Sequence, residues 1–326
     1  MKYILIFIYF TIFFISKTVL ANNNENFNVW LNDFKLKAKQ HGISQETIDN
    51  SLSNINLIPR VIELDRKQPE FTLTLNQYLN KVVSKNRIEK GIKKIRENWE
   101  LLEEISNKYN VQPRYIVALW GIETDYGRIS GGFPVIASLV TLSYDGRRSR
   151  YFTKELLNAL KIIDDGHIDS NSMMGSWAGA MGQTQFMPSS FLSYAQDYNN
   201  DGKKDIWNSK DDALASAANY LAKLKWNNNE TWGREVSVSE EFNIDPNLLT
   251  LKNEKSLLYW HKQGVKKLNG SDLPKNDLQA SLIMIQSKNN YRYFIVYKNF
   301  KRILRWNTSN YFAIAVGKLS DAISIN

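Results

Sequence analysis

The sequence predicts an α+β fold that is mostly α. Apolar residues recur at helical spacing through the first two thirds of the chain. Near the C-terminal end Tyr291-Arg292-Tyr293-Phe294-Ile295-Val296-Tyr297 alternates with the period of a strand. No internal repeat interrupts this pattern, and 326 residues can bury a core in one large domain or two closely joined ones.

Taken in order, the chain opens with Lys2, an apolar run from Ile4 to Ile15, and Val19-Leu20-Ala21 as a small-residue cleavage pattern. This reads as a signal peptide over residues 1–21, with a mature start near Asn22. An uncleaved anchor is the alternative, but the run is shorter than the ~20 residues a spanning helix needs. A helix is expected from Trp30 to Gln40, with Trp30, Phe34 and Ala38 on one face and Gly42 as its stop. A long polar helix follows from about Arg87 to Asn110, carrying Ile88, Ile92, Ile95, Trp99 and Leu102. Pro113 suits the first turn of the next helix, where its missing N–H is no loss. Phe152 to Ile163 is amphipathic. Asp211 or Asp212 opens a helix through Lys225. Arg234–Val238, Leu282–Gln286 and Tyr291–Tyr297 read as strands, with a turn at Asn289-Asn290. A final helix covers Asn310 to Ile323.

Composition narrows the function classes. Cysteine is absent, which excludes disulfides, zinc–thiolate sites, cysteine nucleophiles and a lipid-modified N-terminal cysteine. The net charge of +9 falls to +7 without Lys2 and Lys17, and the cations are scattered. Such a charge favours polyanions in general, and export makes nucleic acid the least favoured of them.

Glu123 is the strongest candidate for chemistry. Ile116, Leu119, Trp120 and Glu123 fall at i, i+3, i+4 and i+7, which sets an acid on an apolar helical face. Desolvation there raises a carboxyl pKa and lets it hold a proton for general-acid cleavage of an acetal. The plain alternative is an acid at a helix end neutralised by Arg128. Thr124, Tyr126 and Gly127 do not favour helix, so the helix is expected to end beside Glu123. Asp125 cannot share its face, because residues two apart point apart. No second acid stands on a matching block, although two-carboxylate glycosidases require one.

Asp197, Asn199 and Asp201 stand at loop positions 1, 3 and 5, with Gly202 at 6 and the Lys203 carbonyl at 7. This is the opening of an EF-hand calcium loop. Asn208 replaces the bidentate glutamate at position 12. A polar turn without an ion is the alternative.

Several blocks together resemble the membrane-bound lytic murein transglycosylase B family, as a soluble-type member. They are Val61–Phe71, Gly121-Ile122-Glu123-Thr124 with Gly127, Leu142-Ser143-Tyr144 with Arg147-Arg148, Gly175–Phe191, Asp197–Trp207, Asp212–Leu221 and Asn307-Thr308-Ser309 with Ala313. The resemblance implies a lysozyme-like core over 111–228, an added helical region over 22–110, and a small β-containing region over 229–326. It implies that Glu123 cleaves the bond between N-acetylmuramic acid and N-acetylglucosamine in peptidoglycan, as acid and then as base, leaving 1,6-anhydromuramic ends. It places Ser176, Gln185, Arg147, Arg148, Tyr220, Asn307 and Trp306 on the substrate. For Ser176 and Gln185 the plainer alternative is helix packing and capping. Tyrosines are expected where this chain has Trp306 and Phe312; Trp306 could stack on a sugar, whereas Phe312 lacks a hydroxyl. Asp212 becomes the closing acid of the loop, around a weak structural calcium ion. No cofactor is needed for the chemistry. The expected partner is the peptidoglycan strand, for a periplasmic monomer without stable membrane insertion. A hydrolytic muramidase on the same scaffold and a non-catalytic, calcium-dependent wall-binding protein are the competing readings.

Overall fold

The computed structural model describes residues 25–67, 73–239, 245–287 and 290–324. The signal segment, the end of the Val61–Phe71 block and Asn289 of the expected turn lie outside these residues. In chain order the helices begin with α1 (25–40), α2 (Gln45–Leu52), α3 (Pro59–Lys67), α4 (Leu75–Val82), α5 (Lys85–Glu97), α6 (Trp99–Tyr109) and α7 (Pro113–Thr124). Then come β1 (Phe133–Pro134), α8 (Val135–Tyr144), α9 (Ser149–Asp164), β2 (Met174–Gly175), α10 (Pro188–Tyr194) and α11 (Lys210–Lys223). The last third holds β3 (Gly233–Val238), β4 (Lys255–Ser256), α12 (Leu257–Lys262), β5 (Val265–Lys267), β6 (Gln279–Ser287), β7 (Asn290–Val296), α13 (Lys298–Trp306) and α14 (Asn310–Ala322). The fold is α+β and mostly α, as expected. No helix among the described residues is long and apolar enough to cross a membrane.

The chain forms two compact units that alternate along the sequence. The first takes described residues 25–67, 132–180 and 187–192. Its centre is α8, whose residues Val135 to Ser143 are all buried, packed on α3 and α9. Phe34 and Ala38 of α1 are buried, on the face the periodicity predicted. Ser44 caps α2 by accepting from Thr47 N, and Asp164 at the end of α9 accepts from the Ser44 amide and the Thr47 hydroxyl.

The second unit takes 73–131, 181–186 and 193–324. Here α7 is the central helix, in contact with α5, α6, α11 and α14. An antiparallel sheet in the order β4-β6-β7-β3-β5 completes the unit. Trp260, Leu282, Ile295 and Tyr297 form its core. Ser287 pairs with Asn290 across the β6–β7 hairpin.

The expected single helix from Arg87 to Asn110 is two helices. Asn98 leaves helical geometry (φ −124°, ψ 25°), and its side-chain Nδ2 donates to Lys94 O at 2.7 Å. An asparagine that binds the backbone locally competes with the helical ladder, and periodicity alone does not register that competition. Trp99, beyond the break, is 46% exposed instead of lying on the stripe. For α11 the cap is Ser209, not an aspartate; Asp212 donates its amide to Ser209 Oγ from the first turn.

Candidate active site

Glu123 sits half-buried in the last turn of α7. The helix stops because Asp125, Tyr126 and Gly127 take φ of 51°, 63° and 81° in succession, so the chain turns left-handed immediately after Thr124. Asp125 N still closes on Gly121 O at 3.1 Å. Tyr126 then folds back as a wedge, its hydroxyl donating to Arg87 O at 2.7 Å. A methyl at residue 121 would lie 2.6 Å from the Tyr126 ring, and one at residue 91 would lie 2.6 Å from its hydroxyl, so both positions require glycine.

Arg128 Nε donates to Asp125 at 2.6 Å. Lys90 at 3.0 Å and Arg87 at 3.8 Å complete a cationic ring around Asp125. Burial opposes ionisation of Asp125, but the hydrogen bonds and charges of Arg128 and Lys90 outweigh it and hold the carboxyl below its ordinary value.

A network missed by sequence reasoning fixes the end of α7. Trp120 Nε1 donates to Gln183 Oε1 at 3.0 Å, and Thr124 Oγ1 lies 2.8 Å from Gln183 O and 3.2 Å from Trp120 O. Gly127 N donates to Thr124 Oγ1 at 3.0 Å, and Gln183 Nε2 donates to Trp207 O at 3.2 Å. Gln183 stands in the glycine-rich block, but nothing local marks it as the partner of a tryptophan 63 positions earlier.

Across from Glu123 stands Trp306, the last residue of α13, whose Nε1 donates to Glu123 Oε1 at 2.8 Å. Its ring packs on Tyr220 (centroids 4.7 Å apart) and Phe186 (5.2 Å). The Tyr220 hydroxyl donates to Arg305 O at 2.6 Å, and burial pushes it up to about 12. Phe186 is held by a backbone bridge to Met181. Between them, Gln185 adopts φ 49° and its Nε2 donates to Ser130 O and Gly182 O at 2.8 and 3.0 Å. Asn307 is exposed, and its Oδ1 accepts from Ser309 N at 3.0 Å at the start of α14. Phe312 is buried. The structure therefore brings Glu123, Trp306, Tyr220 and Phe186 together.

Ser176, Arg147 and Arg148 belong to the first unit. No helix follows Ser176. Its backbone pairs with Ala180 in a turn, and its Oγ accepts from Ala180 N at 3.0 Å. Gly175 and Gly179 permit that turn: a methyl at 175 would collide with Ala180 O, and Gly179 has φ 88° against Leu139. Arg147 Nε donates to the buried Asp65 at 2.6 Å, and Arg148 binds the other oxygen of the same carboxylate. Burial opposes charge on Asp65, yet the two guanidinium groups hold it below its ordinary value. Outside this pair, the Arg147 and Arg148 side chains remain 46% and 44% exposed.

In the loop after α10, Asp201 N donates to Asp197 Oδ1 (3.1 Å) and Asn199 Oδ1 (3.2 Å), and Gly202 N to Asp197 Oδ2 (2.9 Å). The oxygen side chains thus gather over the turn at Asn200 and Gly202, both with positive φ. Asp212 is fully buried and accepts Tyr198 N and Asp205 N, each at 2.8 Å. It closes the loop by hydrogen bonds, and Asn208 donates to Asp205. Among the described residues no group of three or more acidic, histidine or cysteine side chains is gathered as a metal cage. The donor set is nevertheless all oxygen, and an oxygen that accepts one N–H keeps a second lone pair, which suits a hard cation.

Fold and comparison together define the class, a lysozyme-like lytic transglycosylase. The chain belongs to the transglycosylase SLT domain family, whose profile matches residues 26–321. It is 30% identical over 302 residues to the membrane-bound lytic murein transglycosylase B of Escherichia coli strain K12, covering 88% of this chain and 80% of that protein. SltB3 from Pseudomonas aeruginosa, in complex with NAG-NAM-pentapeptide, matches with a TM-score of 0.86 and 40% identity, over 91% of this chain and 79% of that one. Escherichia coli SLT35 in complex with calcium matches with a TM-score of 0.77 and 28% identity, over 90% of this chain and 92% of that one.

Proposed function

We propose that this protein cleaves the β-1,4 bond between N-acetylmuramic acid and N-acetylglucosamine in peptidoglycan without water, and that Glu123 alone performs the proton transfers. The observation that carries this reading is the end of α7. Glu123 projects from a buried helix in a chain of transglycosylase ancestry, while its neighbour Asp125 is tied to Arg128, Lys90 and Arg87. Protonated Glu123 gives its proton to the glycosidic oxygen as the C1–O bond breaks, and the 2-acetamido oxygen stabilises the cationic C1. The Glu123 carboxylate then takes the proton of the C6 hydroxyl as O6 bonds to C1, which returns the acid and leaves a 1,6-anhydro end.

In the second unit Gln185, Tyr220 and Asn307 are assigned to the saccharide, with Trp306 bound to Glu123 beside them, and in the first unit Ser176, Arg147 and Arg148. The arginines would meet substrate carboxylates with the N–H groups that Asp65 leaves available. A structural calcium ion would be held by Asp197, Asn199, Asp201 and the Lys203 carbonyl, with Asp212 behind them, and would stiffen the loop. Release of residues 1–21 would leave the enzyme in the periplasm, acting on glycan strands as a monomer.

Digestion of purified sacculi followed by mass spectrometry tests the proposal. Wild type should release anhydromuropeptides, and Glu123→Gln should lose at least ~100-fold of the rate, the scale of general acid–base catalysis. Reducing muramic ends in place of anhydro ends, or an active Glu123→Gln, would overturn it.

A further inference from the structure

We propose that Trp306 is the positioning residue of Glu123, its indole N–H assigning the transferable proton to Oε2. This rests on Glu123 being the acid–base group. Trp306 Nε1 lies 2.8 Å from Glu123 Oε1. An indole N–H donates and never accepts, so Oε1 must act toward it as an acceptor in both protonation states. In the neutral acid the oxygen that accepts this bond is the carbonyl oxygen, and the hydroxyl is Oε2.

The two proton transfers then share one atom. In the first, the Oε2–H bond breaks, its proton bonds to the leaving oxygen, and the electron pair stays on the carboxylate. The new charge spreads to Oε1, where the indole bond becomes charge-assisted and strengthens. An interaction that tightens as charge develops lowers the barrier instead of merely binding the ground state. In the second transfer Oε2 collects the C6 hydroxyl proton, and the starting arrangement returns.

The surroundings of the indole fit this role better than that of a sugar platform. Tyr220 and Phe186 both pack on the ring, at interplanar angles of 59° and 60°. The Tyr220 hydroxyl holds Arg305 O, one residue before Trp306, so the end of α13 cannot swing without breaking that bond. A tyrosine, the residue expected here, has a hydroxyl that can donate or accept. Tryptophan removes that ambiguity.

Steady-state kinetics on soluble muropeptide oligomers separates the roles. Trp306→Phe keeps an aromatic ring and loses the N–H, and benzothienylalanine introduced at position 306 by nonsense suppression keeps the shape and loses only the N–H. Both should lower kcat roughly 10- to 100-fold with KM within about twofold, the scale of a hydrogen bond to a charged group. A raised KM with kcat preserved would mean a sugar platform and would overturn the proposal, as would full activity of the benzothienyl protein. Glu123→Gln is measured in the same series. If it is inactive while the benzothienyl protein is unaffected, only the role of Trp306 falls; if it is active, the assignment of Glu123 falls first.

Discussion

Thr124 shows how much of this site depends on single atoms. One hydroxyl answers Gln183 O and Trp120 O and accepts Gly127 N, which ties the end of α7 to the glycine-rich block and to the turn that follows. Thr124→Val preserves shape but strands a carbonyl and an amide. We expect it to cost about 1–3 kcal/mol in denaturant unfolding. It should also reduce kcat, because Glu123 is the adjacent residue, and Thr124→Ser should restore both. Unchanged stability and rate in Thr124→Val would refute this role. At this scale the sequence was legible where the chemistry is local: an acid on an apolar face, a helix ending at Thr124, and an oxygen-rich turn at Asp197. It was silent on partners far apart in the chain. Trp306 meets Glu123 across 183 positions and Asp65 meets Arg147 across 82, and no periodicity reports such pairs.

Among the elements, α7 was expected as an amphipathic helix, yet Tyr115 to Gly121 are all buried. The reason is its position: helices on several sides cover both faces, so burial no longer follows the 3.6-residue period. What the sequence does carry is the pair of glycines that admit Tyr126. Gly121→Ala puts a carbon 2.6 Å from a ring that is itself pinned by its hydroxyl. Overpacking of this kind should cost about 1–3 kcal/mol and displace the turn after Glu123, lowering both Tm and kcat. An alanine variant with wild-type Tm and rate would show that the wedge is dispensable. The Asp197 loop makes a separate prediction. If it holds calcium, chelation should lower Tm, since an ion bound only by the folded state adds stability by mass action. Asp201→Ala should abolish the difference, and identical melting curves with and without chelator would remove the ion from the account.

Over the whole molecule, acid stability follows from carboxylates that the fold treats in opposite ways. Asp65, Asp125 and Glu235 are held below their ordinary values. In each case burial resists the charge, but paired cations overcome it: Arg147 and Arg148, Arg128 and Lys90, and Arg292 and Lys318. Asp164 is lowered chiefly by the Ser44 hydroxyl. A carboxylate with a depressed folded value supplies stability that is complete above its unfolded value, 3.8 for aspartate and 4.5 for glutamate here, and that is lost as pH falls through the folded value. Asp321 has the opposite sign. Burial raises it despite the Trp232 N–H and Arg114, so its ionisation opposes folding at neutral pH, and that penalty is relieved as pH falls towards 3.8. The melting temperature should therefore hold or rise slightly from neutrality to about pH 4.5 and drop steeply below pH 3.8, where a chain of net charge +9 becomes more positive still. Two variants separate the contributions. Asp321→Asn should diminish any rise on approach to pH 4.5, leaving the share of Asp212, which burial also raises. Asp65→Asn should cost about 1–3 kcal/mol of stability at neutral pH, given that its arginines are half in solvent, and so lower Tm there and make the acid drop shallower. A wild-type Tm that declines steadily from pH 7 to pH 5 would contradict the argument, because no carboxylate held below its ordinary value loses its contribution there.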